Sequence, residues 1–221
     1  MNIKNNIINL RRAIPPSCRI VAVSKTHPVE KVKEAYDAGQ RIFGENRVQE
    51  MTPKFEALPR DIEWHMIGHM QTNKVKYIVP FISLIHSVDR YNLLEEINRQ
   101  AAKINRKISC LLQIHIAEEE NKFGFSEDEI LGLIESDAFV KLEYISISGL
   151  MGMATFTSSM EQVRKEFKGL HNFFDRVKSL TLPANVVMNE LSMGMSGDYQ
   201  IAVEEGSTMV RIGSAIFGER H

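Results

Sequence analysis

The chain has 221 residues, 43% hydrophobic and 25% charged, the balance of a soluble globular protein with one sizeable core. Lys and Arg number 27 against 28 Asp and Glu, so there is no basic surplus to release counterions from a nucleic acid. No apolar run approaches the ~20 residues of a membrane span, which excludes a helical membrane protein.

The opening MNIKNNIINLRRAIPP lacks a compact apolar stretch and a small-residue cleavage site, and reads as a short amphipathic helix ended by Pro15-Pro16. A first strand follows over 20–24. Pro28 then opens a helix in which Val29, Val32 and Tyr36 share a face, and Gly39 closes it. Strands are expected over 41–45, 63–68 and 84–88. Asp89 is a candidate N-cap for a helix from Tyr91 to Ile104. A fifth strand is placed at 110–116, and Ser126 with Glu129 has capping-box spacing for a helix to Ile134. A strand at 145–150, a long helix from Met160 to Leu180, and strands at 186–191 and 209–213 complete the order. The two cysteines, Cys18 and Cys110, lie far apart without metal spacing and are expected as free thiols in a reducing cytoplasm.

Eight strands, mostly continuous in apolar residues and alternating with helices, argue a parallel sheet covered on its outside. The expected fold is a (β/α)₈ TIM barrel forming one domain over residues 1–221, with a doubly wound open sheet as the alternative.

In such barrels function gathers at the C-terminal ends of the strands. Lys25 is expected to close the first strand. By alternation it shares a face with Val21 and Val23, so it would point into the barrel mouth as a reactive amine, unless it merely marks the exit to solvent. Asn46 falls just past the second strand. Beyond the seventh strand, ELSMGMSGD offers Ser192, Gly194, Ser196 and Gly197; the end of the eighth offers Gly213 and Ser214. Hydroxyls and close-approaching backbone N–H groups there suit a phosphate, although tight turns would use the same residues. Arg211 shares the face of Gly213 and is either paired with a carboxylate such as Glu190 or turned toward a ligand. Facing an aromatic nitrogen, its permanent charge would keep that nitrogen unprotonated. A lysine for a Schiff base, a phosphate cradle and a ring-nitrogen partner are the parts of a pyridoxal 5′-phosphate site. Asn46 is placed to touch the ring substituents.

His65 and His69 have the i, i+4 spacing of a helical zinc pair. In a strand, however, they stand roughly 13 Å apart, and no metal site is expected. Glu118, Glu119 and Glu120 read as a solvated loop, and Lys122 as an exposed lysine.

The stretches AVSKTHP, FGENRVQE, WHMIGHMQTNK, HSVD, NKFG, GLM, ELSMGMSGD and VRIGSAIFG occur in family order from about residue 20 to residue 218. In them the chain resembles the YggS/PROSC group of pyridoxal phosphate homeostasis proteins. The resemblance implies a single barrel similar to the N-terminal domain of alanine racemase, with pyridoxal phosphate on Lys25. It also implies phosphate contacts around 192–197 and 213–214. His115 and the continuation GLMGMAT depart from the family pattern near the mouth.

Alanine racemase adds a second domain carrying a catalytic tyrosine, for which this chain is expected to have no room after the eighth strand. Of the five tyrosines only Tyr199 falls at a strand end. The expected role is therefore a cytoplasmic carrier that stores, buffers or delivers the cofactor, its partners being pyridoxal phosphate and the apo-enzymes that use it, without robust turnover. The alternatives are a weak amino-acid racemase and a cofactor-free Schiff-base aldolase.

Overall fold

A computed structural model describes residues 2–118 and 123–218. Eight parallel strands close into a barrel in sequence order: β1 (Arg19–Val23), β2 (Ile42–Glu45), β3 (Glu63–Met66), β4 (Leu84–Val88), β5 (Ile108–Gln113), β6 (Ile145–Met151), β7 (Val186–Met195) and β8 (Met209–Ile212). β8 returns to β1, with Val21 opposite Arg211 and Ala22 opposite Ile212. The fold is the expected (β/α)₈ barrel. Outward residues such as Ala22, Phe43, Trp64, Ile85, Cys110 and Ile147 join the helices in the main core. A separate, smaller cluster of Val21, Leu84, Leu111, Met151 and Met209 fills the barrel interior.

The outer layer contains α1 (Ile3–Ala13), α2 (Val29–Asp37), α3 (Val48–Ala57), α4 (Val75–Ile78), α5 (Tyr91–Lys103), α6 (Glu127–Ile134), α7 (Asp137–Val140), α8 (Met160–Lys178), α9 (Tyr199–Glu204) and α10 (Ser214–Phe217). Ser126 caps α6 and Glu129 completes the capping box, as the spacing predicts. Replacing Ser126 by Ala is expected to cost about 1 kcal/mol, read as a lower urea midpoint at unchanged m-value.

Several boundaries differ from the sequence reading. β1 ends at Val23, so Lys25 lies in the turn two residues beyond the strand. β3 ends at Met66 and β5 at Gln113, earlier than expected. β7 runs four residues further than expected, through Met195, and therefore contains Ser192 and Gly194. Its register against β8 shifts between Ser192 and Met195, an irregularity that simple alternation cannot anticipate. The N-cap of α5 is Arg90, because the Asp89 carboxylate is taken by His69 and Arg90. Glu119, Glu120 and Lys122 lie outside the described residues.

Candidate functional site at the barrel mouth

The turn carrying Lys25 is fastened on both sides. Ser24 Oγ donates to Glu45 Oε1 at 2.6 Å. Lys54, from α3, donates to the Ser24 carbonyl at 2.8 Å and to Glu45 Oε1 at 2.6 Å. One turn earlier on α3, Glu50 accepts the Thr26 backbone N–H at 2.6 Å. Thr26 has φ +67°, a left-handed conformation that costs a β-branched residue about 1–3 kcal/mol and persists because its surroundings hold it. Lys25 itself is half-buried at the mouth.

Val23 stands opposite Gly44, so the Lys25 turn and the residues that follow β2, Asn46 among them, leave the barrel at the same end. Asn46 is half-buried and lines a cavity of about 260 Å³ with Arg47, Met66, His69, Gln71 and Lys74. Gly68 makes this possible: a Cβ there would stand 2.5 Å from the Asn46 carbonyl oxygen. On the rim, His69 Nδ1 donates to the buried Asp89 carboxylate at 2.8 Å, and the ring stacks on Phe123 at 4.2 Å.

On the other side of β1, Ser196 Oγ accepts the Gly213 N–H at 3.2 Å, joining the ends of β7 and β8. A Cβ built on Gly197 would meet nothing within 4 Å, so open space adjoins this pair. Ser214 and Ala215 open α10, where first-turn N–H groups have no acceptor within the helix. Asn6 of α1 braces this helix through the Ile216 carbonyl at 2.9 Å.

Arg211 points inward and is 4% exposed. It donates to Ser192 Oγ at 2.6 Å, to the Ser192 carbonyl at 2.9 Å and to the Gly152 carbonyl at 3.0 Å, leaving two of its five N–H groups for other acceptors. Glu190 is not its partner; that carboxylate pairs with Arg19 and accepts from Thr208. Burial pushes the Arg211 guanidinium down to about 10, opposed by the charge of Asp198, so at neutral pH it remains a cation. The structure thus brings Ser196, Gly197, Gly213 and Ser214 together beside the Lys25 turn. It separates Ser192 from them: this hydroxyl is fully buried one layer down, between Arg211 and His86. Tyr199 packs against the outer core.

Below Arg211 lies an arrangement that the sequence reading missed. His86 Nδ1 meets Ser192 Oγ at 2.9 Å, and His86 Nε2 meets His65 Nδ1 at 2.9 Å. Burial holds both imidazoles well below their ordinary value, His65 at about 3. The available signal was positional: His65 and His86 each occupy an inward place on neighbouring strands.

A closed (β/α)₈ barrel with a lysine in the turn after β1 and Ser- and Gly-bearing loops after β7 and β8 defines the class of the protein. The profile of the alanine racemase N-terminal domain family matches residues 1–221. The chain is 41% identical over 203 residues to a pyridoxal phosphate homeostasis protein of Aquifex aeolicus, covering 91% of this chain and 87% of that one. It is likewise 41% identical to the Homo sapiens protein of that name, covering 94% and 78%. PipY of Synechococcus elongatus, solved with pyridoxal phosphate bound, superposes with a TM-score of 0.88 at 35% identity, covering 98% of this chain and all of that one. This chain belongs to the pyridoxal phosphate homeostasis protein family. Alanine racemase of Bartonella henselae, 19% identical with a TM-score of 0.74, shares the fold; the present chain covers 58% of it.

Proposed function

We propose that this protein binds pyridoxal 5′-phosphate at the barrel mouth and serves vitamin B6 homeostasis by storing the cofactor and delivering it to apo-enzymes. The observation that carries this reading is the placement of Ser196, Gly197, Gly213 and Ser214 beside the fastened turn of Lys25, with open space at Gly197. The family relationship supports it, since PipY has been solved with this ligand.

In this reading Lys25 is the covalent anchor, Asn46 borders the ring, and Ser196 with the backbone of 197, 213 and 214 takes the phosphate. Ser192 is a positioning residue for Arg211. Bound pyridoxal phosphate supplies an aldehyde that condenses with amines and a ring that withdraws electrons from them. Arg211, protonated at neutral pH, has N–H donors for a ring nitrogen and no proton to yield, which favours carriage over turnover. Among the described residues no helix is long and apolar enough to cross a membrane. The buried free thiols Cys18 and Cys110 accord with a reducing cytoplasm.

The test compares pyridoxal 5′-phosphate with pyridoxal. Wild type is expected to prefer the phosphorylated form. Ser196→Ala is expected to weaken that form by about tenfold to a hundredfold, the loss of one charge-assisted hydrogen bond, while leaving pyridoxal nearly unaffected. Equal affinity of wild type for both compounds would refute the cradle.

A further inference from the structure

The opposite end of the barrel is built unusually. An eight-stranded barrel is ordinarily filled by layers of branched aliphatic side chains. Here the inner apolar layer gives way, toward the N-terminal ends of the strands, to a polar cavity of about 240 Å³. Arg19, Glu63, His65, Ser109, Ser148 and Asn189 line it. At roughly 30 Å³ per water this is room for about eight waters.

The hydrogen-bond chain above fixes what the deepest of these residues presents. Arg211 donates to Ser192 Oγ, so that oxygen is already an acceptor. The Ser192 hydroxyl proton has one acceptor among the described residues, His86 Nδ1. With Nδ1 accepting, the neutral His86 ring carries its proton on Nε2 and donates it to His65 Nδ1. The proton of His65 therefore sits on Nε2. The reverse tautomers would leave the Ser192 proton without an acceptor. His65 is 1% exposed and lines the cavity, and its Nε2 has no partner among the described residues. The buried ring thus offers its Nε2–H donor to the cavity.

Charge sorts the remaining walls. Arg19 is neutralised by Glu190. Glu63 has no side-chain hydrogen bond or ion pair among the described residues and leaves a net negative charge at the rim. Glu63 and His65 are alternate residues on the inner face of β3, about 6.7 Å apart along the strand. A ligand filling the cavity needs a cation at its outer end and a hydrogen-bond acceptor at its inner end, separated by a few bonds.

We propose that this cavity is a second binding site, at the N-terminal face of the barrel, for a small zwitterionic α-amino acid. Its ammonium pairs with Glu63, and its carboxylate accepts from His65 Nε2–H and the neighbouring serine hydroxyls. The site is distinct from the mouth and does not require that a cofactor be bound there.

The experiment titrates L-serine into the cofactor-free Lys25→Ala protein, which has no amine at position 25, and follows the melting temperature and the His65 ring nitrogens by NMR. Glycerol and putrescine serve as probes lacking the charge pair or the acceptor. L-serine is expected to raise the melting temperature by several degrees and to shift Nε2 of His65, with no comparable response to the other two. Glu63→Gln and the cavity-filling Ser148→Leu are each expected to weaken the response at least tenfold. Undiminished binding to Ser148→Leu would place the ligand elsewhere and overturn the assignment. So would an equal response to glycerol, or no response of the Lys25→Ala protein to L-serine. Should Ser148→Leu not fold, an unmoved His65 Nε2 signal in the parent protein overturns it equally.

Discussion

Reduction with borohydride of the protein loaded with pyridoxal 5′-phosphate is expected to leave a pyridoxyl group on Lys25, and Lys25→Ala is expected to lose essentially all cofactor retained through gel filtration. The reasoning is positional. The Lys25 turn is held by Ser24 against Glu45 and Lys54 and by Thr26 against Glu50, so the amine stands on a fixed base. The Ser196–Gly213 pair that would hold the other end of the cofactor lies on the adjoining strands β7 and β8. Peptide mapping decides the matter. A label found chiefly on another lysine would remove Lys25 from its role while leaving the phosphate cradle to be judged by the Ser196→Ala comparison.

The second large effect is on stability. Lys54→Met is expected to destabilise the fold by about 3–5 kcal/mol, because it strands Glu45 as an unpaired charge in a fully buried place. Removing both partners, as Glu45→Leu with Lys54→Met, is expected to recover most of that loss, since two desolvated charges disappear together. The pH dependence follows from Glu45. Burial holds its carboxyl above the ordinary 4.5, against the opposing pull of Lys54 and Ser24. A folded value above the unfolded one means that the native state binds the proton more tightly. Its contribution is fully present below the ordinary value and is lost as pH rises through the raised one. Without Lys54 the rise is greater, so the deficit of Lys54→Met is expected to be larger at about pH 8 than at about pH 5. Urea titrations at the two pH values measure this; a deficit independent of pH would show that Glu45 is not the source.

The barrel was legible because its strands are short apolar runs between well-signalled helices, as at Pro28 to Gly39 and Ser126 to Ile134. Ser196, Gly213 and Arg211 could be placed by counting from strand ends, whereas Lys25, expected to close β1, lies two residues beyond it. Ser192 was misjudged for a definite reason. The polar, glycine-containing ELSMGM reads as the exit from a strand, yet the backbone continues as β7, with Gly194 at φ +91° and a register shift against β8. The polar pair of Glu45 and Lys54 was hidden differently, since it forms across a strand–helix packing that no local pattern encodes. The His65–His86 contact likewise depends on two strands being neighbours, which only the closed topology establishes.

Closure of the ring has a consequence for biosynthesis. β1 is paired on one side with β2 and on the other with β8, which follows it by nearly the whole sequence. A chain emerging from the ribosome can assemble seven strands while β1 still has an open edge. The corner proposed as the cradle forms late, because Gly213 and Ser214 follow β8 and α10 is latched by Asn6 near the other end of the chain. Lys25, among the first residues to emerge, precedes the loop after β8 by nearly the whole of synthesis, so on the function proposed above retention of a phosphorylated ligand would report that translation has passed residue 214 and the ring has shut.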